Sequence, residues 1–204
     1  ASADTSAQTT KSATISTSGF TASTPLYIIV GAQDAGSVTS LSSATLDGNA
    51  CTIVAQEDWD AGGAFASQIA VLKVTPTSLP SSSVLSTTWT STGVQRLHGA
   101  IWQAPGSVSQ TTSFAESASG PGTVNANQNV ATGDHVIVYG FTRNSDITAI
   151  VGAGTSDTFA EIGTTDEWYG FGHAESVTAA SPRTMGVTQA SGEGLLVVSV
   201  VITD

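Results

Sequence analysis

The sequence predicts an all-β protein, an antiparallel β-sandwich of jelly-roll-like type built from two pseudo-repeated halves. Three observations predict it. Ser (28) and Thr (30) supply 58 of the 204 residues, and such hydroxyl-rich, β-branched sequence favours strands and short polar turns over helices. No stretch longer than a turn or two carries apolar residues at helical spacing, whereas short apolar or alternating runs recur between turn signals. Finally, the chain slid by 109 residues matches itself without a gap over a long stretch.

The strands of the first half are expected near 13–18, 26–31, 37–46, 51–59, 64–75, 83–90 and 97–103. Those of the second are expected near 122–126, 135–142, 146–150, 158–167, 171–179, 184–190 and 195–202. Alternation is plain in Ile69-Ala70-Val71-Leu72-Lys73-Val74, while 195–202 is almost continuously apolar, as a central strand buried on both faces would be. Turn signals separate the runs at Ala35-Gly36, Asp47-Gly48-Asn49, Ala61-Gly62-Gly63, Thr132-Gly133-Asp134 and Ser191-Gly192-Glu193-Gly194. Asp47-Gly48 is the best candidate for a tight hairpin.

In the 109-residue register Tyr27-Ile28-Ile29-Val30-Gly31 falls on Val136-Ile137-Val138-Tyr139-Gly140. Trp59 meets Trp168, and the acidic pair Glu57-Asp58 meets Asp166-Glu167. Between 27–67 and 136–176 there are 8 identities in 41 positions. Trp59, Trp168, Gly31 and Gly140 are therefore read as anchors of a repeated scaffold. Farther on, Leu97 matches Leu195 at a shift of 98, which places a loss of about eleven residues in the loop around 75–83. The halves, about 13–105 and 122–204, are joined by a connector at 106–121. Two units this small and this poor in large apolar residues would each have a thin core, so a single sandwich spanning 1–204 is expected.

Charge excludes several partners. Lys and Arg number 5 against 16 acidic residues, for a net charge of −11. With so few cations the chain has little to neutralise phosphates, so neither nucleic acid nor an anionic membrane is an expected partner. No apolar segment reaches the length of a membrane-spanning helix. The start, Ala1-Ser2-Ala3-Asp4, lacks Met and lacks the basic and apolar regions of a signal peptide, which leaves room for a removed initiator or leader. The single cysteine, Cys51, lies in an apolar run and is read as a buried, inert thiol.

The search for chemistry finds no enzyme. His98, His135 and His173 are far apart, without metal-ligand spacing, and are read as strand residues. There is no Gly-x-Ser-x-Gly elbow, and Gly152-Ala153-Gly154 lacks the Lys and helix of a phosphate loop. Adjacent carboxylates such as Glu57 and Asp58 point to opposite faces of a strand and cannot converge as an acid–base couple. No catalytic residue, cofactor or metal is expected. Trp89 and Trp102 align with Val187 and Val200 rather than with Trp. They are better suited to strand packing than to stacking on a sugar, and are the residues named for a glycan-binding alternative.

Tyr27–Gly31, the run Ser42-Ser43-Ala44-Thr45-Leu46-Asp47-Gly48-Asn49-Ala50-Cys51-Thr52, then Arg96-Leu97-His98-Gly99-Ala100-Ile101-Trp102 and Val130-Ala131-Thr132-Gly133-Asp134-His135-Val136-Ile137-Val138 follow one another in order. Over nearly the whole chain this resembles the Ser/Thr/Gly-rich β-sandwich virion proteins of tailed bacteriophages, those of marine bacteria in particular. The resemblance implies a structural virion protein: a capsid decoration (cement), head-fibre or tail-associated protein. It implies partners among other virion proteins (the major capsid or tail protein), homo-oligomerisation with a trimer first, assembly in the host cytoplasm and exposure outside the virion. The alternative from another class is a glycan-binding module, as a phage receptor binder or a bacterial surface adhesin.

Overall fold

A computed structural model describes residues 2–3, 9–34, 39–60, 66–103, 109–117, 120–143, 146–153, 155–161, 167–175, 177–191 and 194–203. Every regular element among them is a strand, and every pairing is antiparallel. The strands fall into two compact units, Ala1–Gly106 and Ser107–Asp204, and each pairs only within its own unit. This differs from the one sandwich expected over 1–204: each half holds its own sheets and its own core cluster. The turn signals at Ala35-Gly36, Ala61-Gly62-Gly63 and Gly192-Glu193 lie outside the described residues.

The first unit contains β1 (Ser2–Ala3), β2 (Thr10–Ser16), β3 (Leu26–Asp34), β4 (Leu41–Leu46), β5 (Asn49–Ala50), β6 (Thr52–Asp60), β7 (Ala66–Val74), β8 (Ser82–Trp89) and β9 (Val94–Gln103). They form a five-stranded sheet in the order β1-β9-β3-β7-β6 and a four-stranded sheet in the order β2-β8-β4-β5. The alternation in β2 explains its placement. Lys11, Ala13 and Ile15 point inward, while Thr10, Ser12, Thr14 and Ser16 face solvent. Leu26, Ile28 and Val30 of β3 meet Leu72, Leu85 and Trp89 in the core between the sheets. The opposite face of β3 is shielded too, since Tyr27 and Ile29 are buried. The hairpin at Asp47-Gly48 is as expected: both residues have positive φ (46° and 79°), and Leu46 pairs with Asn49 across it. That is the primed turn whose twist matches the flanking strands.

The second unit contains β10 (Ser109–Ser117), β11 (Gly122–Asn125), β12 (Gln128–Val130), β13 (His135–Arg143), β14 (Ile147–Val151), β15 (Thr155–Glu161), β16 (Glu167–Ala174), β17 (Ala180–Arg183), β18 (Gly186–Gln189) and β19 (Gly194–Thr203). Its sheets run β10-β19-β13-β16-β15, β11-β18-β14 and β12-β17. The continuously apolar β19 is central, between β10 and β13, and buried along nearly its whole length. The segment expected as a connector is corrected: 109–117 is an edge strand paired with β19 from Ser109↔Thr203 to Ser117↔Leu195.

The two units share a strand order, β9-β3-β7-β6 matching β19-β13-β16-β15 and β2-β8-β4 matching β11-β18-β14. Even an irregularity recurs, between Leu41 and Ser43 in β4 and between Ile147 and Ala149 in β14. The residues brought into correspondence, however, are not those of the 109-residue register. Trp59 lies on β6, whereas Trp168 lies on β16, the counterpart of β7. Gly31 faces away from the core that Leu26, Ile28 and Val30 line, yet Gly140 shares the core face of Val136 and Val138. A register wrong by one residue swaps the two faces of a strand, and that is what separates the two glycines. The end register does hold its face, because Leu97 and Leu195 both join the cores. The shortened loop is corrected as well. From Val74 to Trp89 and from Ala174 to Gln189 the chain takes the same number of residues. Most of the difference lies earlier, where β5 has no partner among the described strands of the three-stranded sheet.

Candidate functional site

The residues with chemical potential are placed by strands rather than gathered in a cleft. His98 sits on β9 opposite Gly31 and is fully buried, which pushes its imidazole pKa down to about 3 and keeps it neutral. His135 is buried at the start of β13, and His173 is half-buried on β16, with its ring 6.4 Å from that of Phe171. Among the described residues, no group of three His, Cys, Asp or Glu side chains could hold a metal ion. Glu57 and Asp58 are exposed on β6, facing opposite ways. Asp166 and the side chain of Glu167 lie outside the described residues. Cys51 is partly buried, and burial raises its thiol to about 11, so it is a poor nucleophile near neutral pH.

The tryptophans differ in burial. Trp89 is 1% exposed in the first unit's core, and its indole Nε1 donates to Thr87 Oγ1 at 3.0 Å. No face of it is left for a sugar. Trp102, half-buried on β9, lies across from Tyr27. Trp59 and Trp168 are also half-buried, the latter against the second core.

What the structure brings together instead is a face of hydroxyl groups. On the outer side of the first unit's smaller sheet, Ser12 and Ser86 share a hydrogen bond of 2.7 Å, and Thr10 and Thr88 share one of 3.4 Å. A single pair of the same kind stands in the second unit, where Thr123 and Thr188 share a bond of 2.7 Å. Thr10↔Thr88 and Thr123↔Thr188 are directly opposed pairs on corresponding strands. Outward Ser and Thr alternate along β2, and that alternation is the one sequence signal for the face. The cross-strand partners, 65 to 78 residues away, had none. A hydroxyl both donates and accepts, so an array of them can bind another protein surface without desolvating a charge.

Comparison with protein-family models, with curated proteins and with solved structures finds no match to this chain.

Proposed function

We propose that this chain is a non-enzymatic structural protein of a tailed-phage virion, serving as a capsid decoration (cement) or head-fibre protein. The observation that carries the reading is the hydroxyl-paired outer face, present on the smaller sheet of both units. Such a face suits repeated docking: it is rich in groups that hydrogen-bond in either direction. The resemblance of the chain's pattern to Ser/Thr/Gly-rich virion sandwiches supports the same reading. So does its low Lys and Arg content, which suits protein partners rather than packaged nucleic acid. The partner is then the major capsid or tail protein, and self-association into a homo-oligomer, a trimer first, would multiply weak contacts into firm attachment.

The test is co-sedimentation. Purified tailed-phage particles that encode the chain should carry it through a density gradient, and antibody against it should label the head. A protein found only with free soluble material or with the host envelope would overturn the reading.

A further inference from the structure

We propose that a groove in the second unit, between β10 and the β12–β17 pair, binds a neutral saccharide. This goes beyond a role on a particle and does not depend on it.

The groove, of about 430 Å³, is lined by Thr111, Ser113, Asn127, Gln128, Asn129 and Pro182. Its size is within the range of small-ligand sites. It is built on elements that break the likeness of the two units, because the β12–β17 pair has no counterpart among the first unit's sheets. Its polar groups are held in place before any ligand arrives. Gln128 Nε2 donates to the Ser199 carbonyl at 2.8 Å and to its Oγ at 2.9 Å, and Ser199 is fully buried. The Met185 backbone N–H donates to Asn127 Oδ1 at 3.1 Å, and the Ser181 hydroxyl donates to Asn129 Oδ1 at 2.9 Å. Each asparagine therefore has its oxygen engaged and its orientation set. Among the described residues neither Nδ2 meets a protein acceptor, so both amide groups remain as donors for a ligand. Thr111 and Ser113 add hydroxyls from one face of β10, two residues apart.

The lining selects by charge and by shape. All six side chains are neutral. The nearby Arg183, paired with Gln128 across the two strands, is not in the lining; it keeps its charge and donates its Nε–H to the Gly152 carbonyl at 2.8 Å. Among the six lining residues there is neither a cation for an anion nor a carboxylate for a cation, and the chain as a whole carries a net charge of −11. A peptide strand added to β10 would need pockets for alternate side chains. The lining offers a single apolar surface, the Pro182 ring, and the Thr111 carbonyl already has Gln128 Nε2 at 3.4 Å. A sugar fits these terms: its hydroxyls donate and accept among amides and hydroxyls, and its C–H face can rest on a proline.

The experiment is a titration of the ¹⁵N-labelled full chain, followed by NMR, with neutral trisaccharides of glucose, mannose and galactose. A sialylated trisaccharide and an uncharged tripeptide are run beside them. At least one neutral sugar should shift the side-chain amide signals of Asn127 and Asn129. Asn127→Asp keeps the oxygen that Met185 N–H needs but removes the donor, and should weaken binding roughly tenfold with the rest of the spectrum unchanged. Thr14→Ala, on the first unit, should leave binding as it is. The proposal is overturned if no neutral sugar moves these amides, if the shifts map elsewhere, if Asn127→Asp binds equally well, or if the acidic sugar or the peptide binds more tightly.

Discussion

The imidazole of His98 fills the space that a side chain on Gly31 would occupy: a Cβ built on Gly31 would overlap the ring. The two residues are directly opposed on β9 and β3, in the middle of the first unit's larger sheet. Gly31→Ala should therefore displace a buried ring in a close-packed layer, at about 1–3 kcal/mol. Urea denaturation measures it. Gly31→Ala combined with His98→Ala should cost less than the two separate losses added together, since the clash is gone. Additive losses would mean that the residues do not compete for the same space.

The same burial makes acid stability depend on His98. Its folded pKa, about 3, lies below the unfolded value of 6.5. As pH falls through about 6.5 the unfolded chain takes up a proton that the folded chain refuses, so folding weakens. The contribution of neutral His98 is fully present above the unfolded pKa. It is lost by up to about 1.4 kcal/mol per pH unit as the pH drops toward the folded value. Urea midpoints between about pH 5 and 7, above the range where carboxylates dominate, should fall with acid in the native chain. They should fall less in His98→Gln.

Trp89 contributes packing, not recognition. Trp89→Ala should cost about 3–5 kcal/mol, because it empties the core and leaves Thr87 Oγ1 without its indole donor. Trp89→Phe keeps most of the volume and should cost less. A sugar-binding loss in Trp89→Phe without a change in stability would contradict this.

The Asp47-Gly48 turn between β4 and β5 is tied to β8. Asp47 Oδ1 accepts from the Val84 N–H at 2.7 Å, and the Asp47 N–H donates to the Val84 carbonyl at 2.9 Å. Gly48→Ala places a side chain at φ 79° and should cost about 1–2 kcal/mol. Asp47→Asn, which tolerates the same backbone and retains the acceptor, should cost less than Asp47→Ala. Thermal or urea unfolding separates them.

The hydroxyl face should behave as a surface rather than as a core. Ser12→Ala and Thr123→Val should each change stability by less than about 0.5 kcal/mol, since both pairs are exposed. In a particle-retention assay the double variant should nevertheless detach more readily. Equal retention would remove the hydroxyl face from the attachment surface.

The amino-acid sequence by itself determined the all-β class and many of the strands. The unbroken apolar run of β19 and the Asp-Gly turn are local signals, and each produced the element it announced, whereas the alternation read at Ile69–Val74 belongs to β7, which is buried on both faces. These depend on side-chain periodicity and on backbone preferences that neighbouring residues carry. Tertiary structure alone decided which face and which partner each strand took. Gly31 and Gly140 read as equivalent, but a shift of one residue puts them on opposite faces, and only the pairing across three strands reveals it. The strand at 109–117 was hidden because its order comes from hydrogen bonds offered by β19, not from its own mostly polar side chains. The hydroxyl pairs and the amide-lined groove share that origin: their members are distant in sequence, and backbone ladders bring them together.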